Sequence, residues 1–409
     1  MNLSEQKPCP SELAGQTEQV LTPTVSHIFR TFLHLGLTAY GGLAMVEPIR
    51  RRLVQEKGWL SQTEFLDGLA LCQVLPGATV VQLATYVGHR LRRTPGAVAA
   101  AGAFIFPAFL LLLGLSCLYF RFGELTWVKT VSKGLAAVVL ALLLQTLWRF
   151  QDIVRGNWLD AALALATLGA LAGGVNYLAV FLGAGLLQLI LGGTLPGPAW
   201  SGEKVGASPA VHPGLVITQA AGSLLALALL VWGLWHWDSQ LGQMSLIFLK
   251  IGVISFGGGY VMIPILQWEM VDHLGWLTLR QFLDGILLGF VTPGPIIITA
   301  TFIGYGLKGL MGAVVGTISI FLPPILIVIF LSPHYQQIKE ITWMRPVIQG
   351  ILSALVGMLV LVLLQMGRAS LVDWQSWVIM AGAAAALIGF QVNLLWVAAA
   401  AASLSLVIF

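Results

Sequence analysis

The sequence predicts an all-α polytopic membrane protein built from two homologous repeats, and three observations carry that prediction. Charge is scarce: 57% of the 409 residues are hydrophobic and 9% charged, with a mean hydropathy of +0.88, where soluble chains average roughly 25% charged. Apolar runs long enough to cross a bilayer follow one another along most of the chain. The second half of the sequence repeats the first.

The 21 Lys+Arg and 17 Asp+Glu are too few to give a soluble protein of this size its solvated surface, which excludes a cytosolic enzyme and a disordered chain. A net charge of +4 does not indicate a nucleic-acid partner, because the basic residues are spread through short loops. Cys9, Cys72 and Cys117 are odd in number and lack metal-ligand spacing, so they frame no disulfide scaffold and no metal site.

Residues 1–25 are polar, hold Pro8 and Pro10, and lack the apolar core of a signal peptide, so they read as a disordered tail. A crossing helix takes about 20 apolar residues. Thirteen nearly uncharged segments approach or meet that length, near 29–46, 66–89, 97–120, 130–148, 157–173, 175–194, 214–235, 245–265, 283–306, 310–332, 346–366, 374–390 and 391–409. Each reads as one helix or as two half-helices. The polar interval 195–214, with four prolines and four glycines, reads as a linker. The chain thus divides into a first repeat over 26–194, a linker over 195–213, and a second repeat over 214–409 with an extra leading helix.

The repeat is visible residue by residue. Phe32-Leu33-His34-Leu35-Gly36 is matched by Phe248-Leu249-Lys250-Ile251-Gly252, Tyr40-Gly41-Gly42 by Phe256-Gly257-Gly258, and Pro48 by Pro264, all at a shift of 216. After a slip of one, Gly58-Trp59-Leu60 pairs with Gly275-Trp276-Leu277, Phe65-Leu66-Asp67-Gly68 with Phe282-Leu283-Asp284-Gly285, and Pro76-Gly77 with Pro293-Gly294. Gly88, Gly96 and Pro107 recur as Gly304, Gly312 and Pro323. In membrane proteins, paired halves with interrupted apolar segments at corresponding places point to a transporter whose site lies at the repeat interface.

The interruptions are candidate anion sites. Pro76-Gly77 and Pro293-Gly294 break apolar segments near their middle, since proline removes a backbone donor and glycine takes φ values that other residues avoid. A helix restarting there, at Thr79 in the first half, presents free N–H groups to an anion; the alternative is a kink closed by neighbouring helices. Gly41, Gly42, Gly257, Gly258 and Gly259 can form an anion nest or let helices approach closely. Lys250 sits in an apolar run, where a charge costs about 2.5 to 3.5 kcal/mol, and His34 occupies the matching place. Both are candidate cations for the substrate, unless Lys250 snorkels to an interface. Asp67 and Asp284, with His34, are candidate proton carriers; a role in stabilising a helix start is the alternative for the two aspartates. Glu47 and Gln82 are weaker lining candidates. The sequence holds no catalytic motif and no nucleotide-binding loop, so neither an enzyme nor a cofactor is expected, and transport must draw on ion gradients.

These motifs, Tyr-Gly-Gly at 40–42, Gly-Trp-Leu at 58–60, Phe-Leu-Asp-Gly at 65–68 and Leu-Pro-Gly at 75–77 with their second-half counterparts, resemble those of the chromate ion transporters. The resemblance covers both halves. It implies a bacterial or archaeal secondary transporter in the cytoplasmic (inner) membrane that exports chromate against protons by alternating access. It also implies inverted repeats. Its partners would be chromate or a related oxyanion, protons, the lipid bilayer and, as an open assembly, a second copy of the chain. Leu43, Val46 and Ala78 depart from the family pattern. Sulfate or another anion is the alternative cargo, and a membrane-embedded enzyme or lipid-handling protein the alternative class.

Orientation brings a conflict. Crossing at every segment gives inverted repeats but a poor distribution of basic residues, whereas re-entrant hairpins at the Pro-Gly breaks improve that distribution and make the repeats parallel, unless a further segment also fails to cross. Seven basic residues in the first-half loops face two in the second, Arg280 and Lys308, which favours inverted repeats with broken, crossing helices.

Overall fold

A computed structural model describes residues 23–38, 45–123, 125–191, 213–255, 259, 262–334 and 343–409. The candidates Gly41, Gly42, Gly257 and Gly258, nearly all of the tail and most of the linker lie outside them. Among the described residues the first half runs α1 (Val25–Thr38), α2 (Val46–Arg50, continuing as a π-helical Arg51–Glu56), α3 (Gln62–Val74), α4 (Thr79–Phe122), α5 (Thr126–Arg149), α6 (Gln151–Arg155), α7 (Trp158–Ala172) and α8 (Tyr177–Leu191). After α9 (Pro213–Trp237) come α10 (Ser239–Ile254), α11 (Met262–Gln267, continuing as a π-helical Trp268–His273), α12 (Leu279–Val291), α13 (Thr299–Leu331), α14 (Met344–Ser370), α15 (Trp374–Ala384) and α16 (Leu394–Ile408). No strand occurs among the described residues.

The sequence repeat is a backbone repeat. Both copies carry the π-helical turn after the short helix, a glycine at φ +59 (Gly58 and Gly275) and a capping box (Ser61 with Glu64, Thr278 with Gln281). Both then break at a glycine that only φ > 0 accommodates, Gly77 at +132 and Gly294 at +113. Inside α4, Arg92 and Arg93 leave helical geometry, and Lys308 and Gly309 do the same inside α13 with closely similar angles. Each of these long helices is therefore two arms folded at a tight turn. A Cβ on Gly88 would strike the Gly96 backbone, and one on Gly304 the Gly312 backbone, although residues eight apart in a straight helix are about 12 Å apart.

The Pro-Gly segments fold back as well. Glu64 at the start of α3 accepts from Arg90 at 3.0 Å, whereas 26 residues of continuous helix would place them about 39 Å apart. Gly68 lies against the ring of Tyr86, and its counterpart Gly285 against Phe302. Of the two readings the sequence leaves for the Pro-Gly breaks, crossing or re-entrant, these contacts give hairpins with Pro76-Gly77 and Pro293-Gly294 at their tips, against the lean to crossing helices. A third segment also turns back. Arg92 Nε donates to the Pro23 carbonyl at 2.8 Å before α1, while Arg50, after α2, reaches Gln62 at 3.3 Å beside that same Glu64–Arg90 end.

Equivalent helices of the two halves run antiparallel. Gly77 meets Pro324 and Gly294 meets Ala108; Ser332 bonds His89 at 3.0 Å, and Phe120 lies on Gly306. The halves also exchange helices. Ala164 of α7 and Ala184 of α8 sit against Gly357 and Gly350 of α14, and Gly134 of α5 sits against Ala401 and Ser405 of α16. Small residues at these crossings allow the backbone approach that drives helix association in lipid.

Four helices, Thr79–Phe122, Thr126–Arg155, Ile296–Leu331 and Pro346–Ser370, are long and apolar enough to cross a membrane. Leu182, Ile190, Trp232 and Trp396 lie exposed on the outer surface, as lipid requires. The protein is a multi-pass membrane protein. The extra helix α9 has no counterpart among the described residues and packs on α10, with Trp235 against Gly242.

Candidate functional site

The two tips meet the centre of the helical core from their own hairpins and differ in chemistry. At the first, Leu75 ends α3 in extended geometry, Gly77 turns the chain and α4 begins at Thr79, with Gln82 making its first α-helical bond to the Ala78 carbonyl. The amides of Thr79, Val80 and Val81 stand ahead of that bond, as helix starts require. The Gly77 N–H donates to the Ser255 carbonyl, which ends α10 of the other half. Gln82 Nε2 donates to the Pro76 carbonyl at 2.6 Å. A Cβ on Gly77 would collide with Pro324 and press on the Gln82 amide, so glycine is required here by space as well as by φ. Gln82 Oε1 and Ser255 Oγ are buried and meet no hydrogen-bond partner among the described residues.

The second tip is apolar. After Pro293-Gly294 the chain makes a short 3-10 turn, Ile296–Ile298, all buried, and Thr299 begins α13 with its hydroxyl on the Ile296 carbonyl at 3.0 Å. Gly259, the described member of the glycine candidates, packs against Ile296.

Lys250 is paired. Its ammonium contacts Glu269 Oε1, which also accepts from the Tyr177 hydroxyl at 2.7 Å, and lies 5.3 Å from the centre of the Tyr177 ring. The Glu269 side chain is 3% exposed and that of Lys250 34%. Sequence reasoning missed Glu269 and Tyr177. Glu269 lies just beyond the apolar run 245–265, and the lone lysine nineteen residues earlier was the signal that a carboxylate must be near.

The remaining candidates stand apart. His34 is exposed on α1 and Asp67 half-buried on α3; no contact joins His34 to Lys250 among the described residues. Asp284 is buried, accepts from the Tyr119 hydroxyl at 2.7 Å and has Arg280 at 3.9 Å, so it lies at the outer end of the α4 arm and away from the tips. Its match Asp67 has no equivalent ion pair among the described residues. Thr79 is buried at the first tip beside Pro76 and Gly77. One further buried carboxylate, Asp160 of α7, accepts from Ser353 at 2.8 Å and Gln349 at 3.2 Å on α14, which ties the exchanged helices together. Among the described residues no three His, Cys, Asp or Glu converge to hold a metal ion.

The family profile described as Chromate transporter matches residues 26–189 and again 242–406. A chromate transport protein of Cupriavidus metallidurans is 30% identical over 376 residues, covering 91% of this chain and 90% of the relative. A chromate transport protein of Pseudomonas aeruginosa is 33% identical, over 86% of this chain and 83% of the relative, and an uncharacterized transporter of Methanocaldococcus jannaschii is 34% identical over 86% of each. No solved structure matches the chain.

Proposed function

The chain belongs to the chromate transporter family, and on that premise we propose that it carries chromate out across the cytoplasmic (inner) membrane by alternating access coupled to the proton motive force. The observation that carries this reading is the reciprocal contact of the two tips, Gly77 on Pro324 and Gly294 on Ala108. Each hairpin rests on the crossing arm of the other repeat, so rocking one half against the other moves both tips at once. Backbone donors at Thr79 and the amides that follow it, with Pro76 and Gly77 forming the turn that presents them, take the oxyanion on one side. Pro293, Gly294 and Gly259 form the facing wall, Gly41, Gly42, Gly257 and Gly258 are further proposed substrate residues, and Lys250 supplies positive charge when Glu269 releases it.

Inverted repeats fit this mechanism, and the antiparallel run of α4 and α13 supports them. Arg50, Arg51, Arg52, Lys57, Arg90, Arg92 and Arg93 belong to the turns at the end where α1 begins; their counterparts in the second half, at the opposite end, include only Arg280 and Lys308 as basic residues. The arginine-rich end is then cytoplasmic. With the Pro-Gly segments doubling back and α1 beginning at the end where α2 finishes, this orientation is compatible with inversion. His34, Asp67 and Asp284 are the proposed proton carriers, and the bilayer covers the apolar exterior. Sulfate, with the same tetrahedral shape, is the alternative cargo. Everted vesicles energised by a pH gradient and assayed for chromate and sulfate, each competing with the other, test the reading: chromate accumulation is expected, and accumulation of neither anion would overturn it.

A further inference from the structure

Gln82 and Ser255 bring to the first tip two buried polar atoms that meet no hydrogen-bond partner among the described residues. Gln82 is 0% exposed and Ser255 1%. The Pro76 carbonyl can only accept, which orients the Gln82 amide with Nε2 toward it and leaves Oε1 as the free atom. Ser255 is anchored by its own carbonyl on the Gly77 N–H, which leaves its hydroxyl free. Unmet buried polar atoms are costly, and folded proteins keep few of them without a reason.

The other repeat argues that the fold does not need them. Gln82 lies between Pro76-Gly77, matched at a shift of 217, and Gly88, matched at 216, so its counterpart is Ile298 or Thr299, and Ser255 corresponds to Ala39. The second tip closes with Ile298 fully buried and the Thr299 hydroxyl on the Ile296 carbonyl at 3.0 Å, so a tip of this geometry forms with neither residue leaving a side-chain atom unmet. Buried polar side chains at the second tip, Thr292 and Thr299, are satisfied by the Gly289 and Ile296 carbonyls, so of the two tips only the first holds unmet polar atoms among the described residues, and these point to a ligand.

We propose that Gln82 Oε1 and Ser255 Oγ are the acceptor and donor of a subsite at the first tip that takes an oxyanion in its hydrogen-bearing form. The Ser255 hydroxyl and the leading amides of α4 donate to the anion's oxygens, and Gln82 Oε1 accepts the anion's own O–H. A fully deprotonated dianion would set a lone pair against Gln82 Oε1, and a site built to accept a hydrogen bond rejects a ligand that cannot donate it. Chromate takes up a proton near neutral pH, whereas sulfate does so only in strong acid. The pair therefore separates two anions of one shape. The inference rests on the oxyanion-transport reading and names the species carried.

The experiment uses the full chain in proteoliposomes, with chromate uptake and sulfate competition measured from mildly acid to mildly alkaline pH. The titratable groups on the elements around the tip include His27, His34, Glu64, Asp67, Cys72, Tyr86, His89, Cys117, Tyr119, Lys250, Tyr305 and Lys308, and titration of any of them would move chromate and sulfate together. A proton on the ligand moves chromate alone. The expected result is a KM for total chromate that falls as pH falls, with sulfate a poor competitor throughout. Gln82→Ile, after Ile298 of the other tip, should raise the chromate KM about tenfold, one lost hydrogen bond, and leave sulfate competition no weaker. Ser255→Ala should raise the KM for both anions. A chromate KM independent of pH with sulfate competing equally would overturn the subsite on the wild-type protein alone, even if a variant failed to insert, and would leave oxyanion transport standing. Uptake of neither anion would overturn the transport reading instead.

Discussion

The Tyr177 hydroxyl of the first half and the Glu269 carboxylate of the second are hydrogen-bonded at 2.7 Å, and Lys250 shares the same carboxylate oxygen. The bond joins α8 to the π-helical turn after α11, so it spans the boundary between the repeats. Because Glu269 is buried and Lys250 a third exposed, Lys250→Met leaves a carboxylate unpaired and should cost about 3 kcal/mol, the lower end for a broken buried pair. Chromate movement should stop while the protein remains inserted. Lys250→Met combined with Glu269→Gln should recover thermal stability in detergent without recovering transport. Normal chromate flux in Lys250→Met would remove the lysine from the pathway.

Two glycines with positive φ separate backbone strain from crowding. Gly58 has open space where a side chain would sit, whereas Gly77 faces Pro324 and the Gln82 amide. Gly58→Ala should therefore cost only about 1–2 kcal/mol of left-handed strain and keep transport. Gly77→Ala adds a clash at the tip and should abolish transport with a larger loss of stability. Equal behaviour of the two variants, measured by detergent thermal unfolding and vesicle uptake, would show that the tip tolerates a side chain and is not packed as described.

Much of this fold was legible because the repeat is written in residues with backbone consequences. Gly58 and Gly275, Gly77 and Gly294, and the Gly88–Gly96 and Gly304–Gly312 pairs each fix a turn or a close approach, and each was matched in the sequence before its geometry was known. The direction of the chain after a break was not legible. Pro76-Gly77 permits either a broken crossing or a hairpin, and the choice is made by Glu64–Arg90 and Gly68–Tyr86, contacts between residues that local pattern does not connect. The site divides in the same way. Pro76, Gly77 and Thr79 announced themselves as a break, but Ser255 and Glu269 are ordinary residues whose place depends on how the two halves meet. The exchange of α7 and α8 for α15 and α16 left no mark in the apolar pattern, since an apolar helix packs on either half equally well.

The hairpin geometry predicts sidedness. Cysteines placed at Arg51 and Arg92 in a cysteine-free background should label from the same side of the membrane, because the ends of α2 and α4's first arm come together near Glu64 and Arg90. A cysteine at Lys308, at the matching turn of α13, should label from the opposite side. Labelling of the Arg51 and Arg92 positions from opposite faces would restore a crossing helix, and labelling of all three from one face would make the repeats parallel.

Exchanged helices predict that neither half is stable alone. If the chain divides at 195–213, the fragment carrying the first repeat keeps α7 and α8 but loses α14, their packing surface, and with it the Ser353 and Gln349 donors to the buried Asp160. An acceptor-only carboxylate without those donors is a costly group in lipid. The second fragment likewise loses α5, whose Gln145 donates to the Leu387 carbonyl at 2.9 Å. Each fragment expressed alone should be degraded or aggregate, and the two expressed together should assemble, co-purify and restore uptake. Asp160→Ala in the intact chain removes the need for donors without adding volume, so it should cost less than Ser353→Ala with Gln349→Leu, which should lose about 2–3 kcal/mol by stranding the carboxylate. Independent stability of the first fragment would mean that α7 and α8 find a partner within their own repeat, and the exchanged packing would then not be what holds the halves together.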